Sequence, residues 1–434
     1  MTTIKVIDAL PGTGKTTAMF RTIKSNHLTK WFYLTPLTTE ITRIQAEVPE
    51  LKFKAPSEDI GTKTVDLLKL LEDGENIATT HALFQLMGPA HWEALQQQGY
   101  HVVSDEEVAA IKPFACNSHD VKLMLKAGLV KIEDHGRVVL TQPLSEYAAT
   151  SFCRIAKEAS KGTLYRSSIS GEESGYLVTQ LPIELFLSAK EVTIITYMFE
   201  NSLLDNFLKL YGIGWEYETV NLRKTNEEVI ASLKDNINFK TLPAIDALSR
   251  FTLTFSWYEK ATATQLQLVG NAYRAVMRKI KNDESRVVVT LPKDNAVKYL
   301  SDPIRKSDRK RNTRYAGREK DRPISNCYLS ARSRATNDYA DRDVVVHLYN
   351  RNPNMSVVQY FKSYGFNIDS DQFALSELIQ FIFRSAVREG KPIDLYVAST
   401  RMKNLLTDWL NDIEVLDELI EVLSRKDTKR MLTA

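Results

Sequence analysis

Residues 9 to 17, ALPGTGKTT, combine the residue types and the spacing that hold a phosphate. Ile4 to Ala9 reads as a short buried strand, and TTAMFRTIK from Thr16 has the residue types of a helix. Between them, Gly12 and Gly14 let the backbone curl so that successive N–H groups point at one spot. That spot lies at the positive end of the helix, where an anion is favoured. Lys15 adds a point charge for the β- and γ-phosphates, and the Thr16 hydroxyl can ligate Mg²⁺. Pro11, Gly12, Thr13, Gly14, Lys15, Thr16 and Thr17 are therefore the candidate nucleotide-binding residues.

The stretch HVVSDEEVAA carries the second chemical signal. Asp105 ends an apolar strand ninety residues after Lys15, where a phosphate-loop fold holds its metal through a carboxylate. Thr16 and Asp105 are the expected Mg²⁺ ligands. Glu106, next in the chain, would polarise the attacking water, so the pair points to hydrolysis rather than nucleotide storage. Glu107 is a third acid with no catalytic role assigned to it.

The rest of the chain bounds what such a site can serve. Its 434 residues exceed one compact core and suggest two or three domains. A formal net charge of +3 is nearly balanced, so a nucleic-acid surface would be a local patch. Cys116, Cys153 and Cys327 lie too far apart for a metal or redox spacing, which fits a reducing cytosol. No apolar run approaches a membrane span and the N-terminus reads as a strand, so a soluble cytoplasmic enzyme is expected.

The elements that must position these residues follow from alternation. IKVIDA, WFYLTP, NIATTH, YHVVSD and VTIITY read as strands separated by helical stretches, the pattern of a covered parallel sheet. Residues 110–185 break that rhythm with a helix and a small hairpin turning at Asp134-His135-Gly136, which predicts an inserted subdomain. A second alternating region carries SRVVVTLP, NCYLSA, RDVVVHLYN and IDLYVAST. The expected division is a first domain over 1–215, a second over 216–403, and an amphipathic helical tail over 404–434. Residues 305–322 hold nine Lys or Arg against three acids, with Tyr315 among them. That stretch reads either as part of a nucleic-acid path or as a solvated loop.

With the phosphate loop and the Asp-Glu pair in place, residues 4 to about 402 resemble bacteriophage-encoded DEAD/DEAH-like helicases related to superfamily 2. The helicase form of the loop accepts alanine where Ala9 replaces the strict pattern's glycine. YLTPLTTEITRI and ATTHALF resemble segments that touch the tracked strand. VTIITYMFENS resembles the motif coupling the γ-phosphate to nucleic acid, with Thr196-Tyr197 replacing the usual Ser-Ala-Thr or Thr-Ala-Thr. SARSRATNDYADRDVVVHLYN resembles the motif lining strand path and cleft, and ALSELIQFIFRSAVREGKPIDLYVASTRM the arginine-finger motif. The resemblance implies nucleic-acid contacts at Thr35, Pro36, Thr79, Thr80, His81, Arg334, Thr336 and Asn337. It implies that Gln380, Arg384 and Arg388 act on the nucleotide.

Those last three stand at i, i+4 and i+8, so one continuous helix would place them on a single face. Arginine suits the task because its charge is permanent and its fork holds two phosphate oxygens. The usual pattern places the second arginine three residues after the first, whereas here it is four, which makes Arg384 the stronger finger candidate. With eight residues before Ala9, no upstream glutamine motif is expected, and base selectivity is expected to be loose.

The fold implied is α/β, with two RecA-like parallel-sheet domains in tandem, the first carrying the insertion. The function implied is an ATP-dependent nucleic-acid helicase or translocase using ATP and Mg²⁺ in the cleft between the lobes. Its partner would be single-stranded or forked nucleic acid, DNA favoured over RNA, in phage replication or recombination with proteins of those processes. The alternative is an ATP-driven clamp or remodeller that closes without processive unwinding. The hairpin at Asp134 to Gly136 has no aromatic tip to serve as a wedge. A nucleotide kinase fits less well, because it needs neither the second alternating domain nor the Gln-Arg-Arg block.

Overall fold

The computed structural model describes residues 2–411, except 60, 117, 168–174, 294, 296–325 and 332–337. The chain divides into two compact units, Met1–Thr225 with Pro353–Gln372, and Asn226–Asn352 with Phe373–Ala434.

In the first unit the β-branched and aromatic runs form β1 (Thr3–Asp8), β2 (Trp31–Thr35), β3 (Ile77–Thr80) and β4 (His101–Asp105). The insertion follows with β5 (Ile111–Pro113), β6 (Val130–Ile132), β7 (Val138–Leu140), β8 (Leu164–Arg166) and β9 (Leu177–Gln180). The main sheet resumes with β10 (Glu191–Thr196) and β11 (Glu216–Tyr217). Its order is β11-β1-β10-β4-β2-β3, with every pairing parallel. The C-terminal ends of β1, β10 and β4 therefore come together, the edge at which open α/β sheets bind ligands.

Successive strand residues face opposite sides of a sheet, and both sides of this one are covered. Ile4, Val6, Phe32, Leu34, Val102 and Ile194 enter one core. Ile7, Trp31, Tyr33, Val103 and Ile195 enter another, where they meet Met19, Phe20 and Ile23 of helix α1 (Lys15–Ser25). Two-sided burial explains why β2, WFYLT, is apolar for four of its five residues and buried at all of them. Each such Phe or Ile contributes about 1.5–3 kcal/mol, so the strand ends that carry polar groups are held by the packing behind them.

The insertion pairs β6 with β7 across a turn at Asp134–Gly136, where the sequence places it, and adds the antiparallel order β5-β9-β8. Val121, Met124, Val130, Val138 and Ile155 give it a core of its own. Helix Met355–Ser363 was expected in the second domain but belongs to the first unit. Its Val357, Tyr360 and Phe361 join the core that holds Tyr165 and Val178, and Tyr360 donates to the carbonyl of His135 at 2.6 Å. A pattern of apolar residues marks a buried face without saying which core receives it.

The second unit opens with helices, Asn226–Asn236, Pro243–Asp246, Phe255–Lys260 and Ala263–Lys279. The last begins in a capping box between Thr262 and Gln265. Strands β12 (Ile237–Phe239), β13 (Val287–Thr290), β14 (Val344–His347) and β15 (Ile393–Val397) pair in parallel in the order β12-β15-β14-β13. The expected strand NCYLSA is reduced to an isolated bridge between Val289 and Tyr328. Residues 400–411 are helical, whereas the rest of the expected C-terminal tail and the basic stretch 305–322 lie outside the described residues. Among the described residues no helix is long and apolar enough to cross a membrane.

Candidate nucleotide site

The loop between β1 and α1 turns on two glycines in the left-handed region, Gly12 at φ 89° and Gly14 at φ 90°. The Thr13 hydroxyl donates to the Leu10 carbonyl at 2.8 Å and is buried, which fixes the turn from inside. Gly14 caps α1 without a side-chain hydrogen bond, so the first N–H groups of the helix are not taken up by a capping side chain. From outside, the Arg223 N–H donates to the Thr13 carbonyl at 2.9 Å. A Cβ on Gly14 would come within 3.1 Å of the Arg223 Cβ.

Lys15 turns back into the loop. Its ammonium donates to the Ala9 carbonyl and, at 2.7 Å, to the Thr196 carbonyl at the end of β10. Burial pulls its pKa down to about 8, against the opposing charges of Glu106, Asp8 and Asp105. The Thr16 hydroxyl lies 3.2 Å from both carboxylate oxygens of Asp105. Burial raises the Asp105 pKa to about 6, opposed first by a hydrogen bond from the Tyr33 hydroxyl at 2.8 Å.

Register explains that last bond. Tyr33 pairs with Val103 across β2 and β4. Asp105, two residues further on, faces the same side of the sheet, within reach of the phenol. Tyr33 is a neighbour of Asp105 that sequence reasoning missed, since only the strand pairing reveals it. Glu106 follows at φ 69°, an unusual backbone for a residue with a side chain. Its N–H still donates to the Ile195 carbonyl at 2.9 Å, and its carbonyl accepts from Ser104 at 2.8 Å. Two sheet-side bonds thus hold the chain in a conformation that costs energy. Glu107, given no role from sequence, accepts from the Thr196 hydroxyl at 3.3 Å.

The parts fit a magnesium nucleotide. A curled backbone and a lysine suit phosphate oxygens. A hydroxyl paired with one carboxylate suits Mg²⁺, which keeps waters and takes few protein ligands.

The other expected residues are placed less uniformly. Thr35 is fully buried, and its hydroxyl has no hydrogen-bond partner among the described residues. Thr79 is buried, and the Thr80 hydroxyl accepts from the Leu83 N–H at 3.3 Å as a helix cap. His81 is buried with its ring 3.3 Å from the Ser104 hydroxyl, inside the strand that ends in Asp105. Pro36 is half-buried at the end of β2. Thr17 accepts at 3.2 Å from Arg43, which belongs to helix α2 (Thr38–Glu47). Arg334, Thr336 and Asn337 lie outside the described residues.

The single helical face expected for Gln380, Arg384 and Arg388 is not formed. The helix Ser370–Ile382 ends before Arg384. Ser385 turns extended, with its hydroxyl donating to the Ile382 carbonyl at 2.6 Å, and Ala386–Glu389 forms a separate 3₁₀ turn that closes at Gly390, φ 70°. Arg384 is buried at 7% exposure, whereas Arg388 is exposed and Gln380 half-buried. Phe381, Ile382 and Phe383 are buried where the helix ends.

Fold and site together define an α/β protein with parallel sheets and a phosphate-type loop at the strand ends. A family model described as the YonV C-terminal Rossmann-like domain matches residues 230–410. The chain is 28% identical over 430 residues to the SPbeta prophage-derived uncharacterized protein YonV of Bacillus subtilis (strain 168), covering 95% of this chain and 100% of that one. Among solved structures it is similar to S. tokodaii Xpd4, at 12% identity and TM-score 0.38, covering 94% of each chain. It is also similar to a structure titled XPD_Helicase, at 12% identity and TM-score 0.39, covering 96% of this chain and 86% of that one.

Proposed function

We propose that this protein is an ATP-dependent nucleic-acid helicase or translocase. The observation that carries the reading is Thr16 set against Asp105, with Lys15 folded into the glycine turn beside them. In this reading the loop N–H groups and Lys15 hold the β- and γ-phosphates. Mg²⁺ held by Thr16 and Asp105 would neutralise phosphate charge. Glu106 orients a water and takes its proton as the water oxygen attacks the γ-phosphorus, and ADP leaves with the bridging oxygen. The same ammonium that would hold phosphate now holds the Thr196 carbonyl. Phosphate entering the loop competes for that ammonium and can loosen the end of β10, which supports coupling between nucleotide and the segment VTIITYMFENS.

We assign Arg384 to turnover, with Gln380 and Arg388 as its companions, on the resemblance of their block to the arginine-finger motif. We take DNA as the substrate, in phage replication or recombination within the host cytoplasm, on the resemblance of the sequence to phage-encoded helicases. A clamp or remodeller is the second reading, and one observation favours it. The insertion's hairpin tip is docked, with the His135 ring 5.0 Å from Tyr211 and 6.2 Å from Tyr364. A docked tip cannot act as a wedge. Strand displacement on tailed duplexes of both polarities separates the two readings: release of a strand supports the helicase, and ATP-dependent retention without release supports the clamp.

A further inference from the structure

Asp105 receives a hydrogen bond that the phosphate-loop arrangement does not itself require. The Tyr33 hydroxyl donates to its Oδ2 at 2.8 Å, and Tyr33 is fully buried. The Thr16 hydroxyl makes the longer contacts, 3.2 Å from Oδ1 and from Oδ2 alike. The phenol ring is itself fixed. Phe20 of α1 meets it edge-on with ring centroids 5.5 Å apart, and the Arg43 guanidinium lies 5.4 Å from the Phe20 centroid. Arg43 in turn pairs with Glu40 and Glu47 and donates to Thr17. A chain of contacts therefore runs from Thr17, beside the loop, through Arg43, Phe20 and Tyr33 to the carboxylate.

We propose that Tyr33 is a positioning residue for a divalent cation, pinning Oδ2 of Asp105 so that the carboxylate stays presented beside the Thr16 hydroxyl. A carboxylate on a two-bond side chain can rotate about its last bond, and a cation bound through one oxygen pays to stop that rotation. A neutral donor on Oδ2 stops it beforehand without competing for the metal as a lysine would. Phenylalanine keeps the ring, its packing and its volume, and removes only the donor.

This rests on the reading of Asp105 as a metal ligand, so the test separates the two. Mn²⁺ binding is measured by electron paramagnetic resonance with a non-hydrolysable ATP analogue present, for the full-length wild type, Tyr33→Phe and Asp105→Asn. Analogue binding without metal and thermal melting are measured beside it. Tyr33→Phe should weaken Mn²⁺ by about tenfold, within the range expected for losing an outer-shell partner of a metal ligand. Metal-free analogue affinity should stay at the wild-type value, and the melting temperature should fall no further than loss of one buried hydrogen bond explains. Wild-type Mn²⁺ affinity in Tyr33→Phe, with Asp105→Asn impaired, would overturn the positioning role and leave the metal site standing. Unchanged affinity in Asp105→Asn, or no metal-dependent binding in the wild type, would overturn both. A fall in melting temperature with equal loss of metal-free binding would make Tyr33 a packing residue and overturn the proposal.

Discussion

The hydroxyl of Thr16 stands 3.2 Å from both carboxylate oxygens of Asp105, although the two residues are far apart in the chain. The sheet order makes this possible, because β1 and β4 both flank β10 and run in the same direction. The strand ends arrive level, and the register of the sheet sets the two groups against each other. A pre-assembled pair binds without the cost of ordering its side chains, which is how a site gains affinity from its scaffold.

The glycine turn is the first place to test that scaffold. Gly14→Ala puts a side chain at φ 90° and 3.1 Å from the Arg223 Cβ. The left-handed backbone alone costs about 1–2 kcal/mol, and the contact crowds Arg223, whose N–H donates to the Thr13 carbonyl. Gly99→Ala is the control, since Gly99 has φ 67° and open space around it. Both variants should lose stability in denaturant titration. Only Gly14→Ala should lose nucleotide binding as well.

Arg384 tests the second unit. Arg384→Ala should leave ATP affinity near wild type and lower turnover by about 10³ or more, the scale of an arginine acting on transferring phosphate. Arg384→Lys should be nearly as poor, because an ammonium cannot reproduce the planar fork. Steady-state turnover beside nucleotide titration decides it. Normal turnover in a folded Arg384→Ala would make Arg384 a packing residue.

His347 gives the second unit a pH dependence. It is fully buried at the end of β14, and neither ring nitrogen has a hydrogen-bond partner among the described residues. Burial, and then the nearby positive charge of Arg351, push its pKa down to about 3 from 6.5. Between those values the unfolded chain binds a proton that the folded chain refuses. Stability is therefore intact above the unfolded value and falls as pH drops through the window, by about 1.4 kcal/mol per pH unit. His347→Leu should flatten that decline between pH 6 and 4 in denaturant titrations, while the wild type loses stability. Parallel slopes in the two proteins would contradict it.

These residues also show what the sequence could and could not tell. The loop from Ala9 to Thr17 and the Asp-Glu pair were legible because each is contiguous, bounded by an apolar strand whose residue types announce it. The parallel sheet was legible for the same reason. The Tyr33–Asp105 bond was not, because it depends on which strands pair and in what register. His81 and Thr35, given nucleic-acid contacts by the resemblance, are buried, which the motif spacing does not show. The break after Ile382 was not legible, because Gln380, Arg384 and Arg388 keep helical spacing in the sequence whether or not the helix continues past Ile382. The docking of Met355–Ser363 on the first unit is a long-range choice that no local pattern encodes.

The most direct test of the account is steady-state ATP hydrolysis with and without saturating single-stranded DNA, for the wild type, Lys15→Ala and Glu106→Gln. The account predicts that DNA raises the wild-type rate and that added salt weakens the effect, since phosphate contacts release counterions. Lys15→Ala should lose nucleotide binding. Glu106→Gln should keep ATP and lose about 10² or more in rate, the usual contribution of a positioned base. A wild-type rate in Glu106→Gln, or hydrolysis indifferent to DNA and RNA alike, would contradict it.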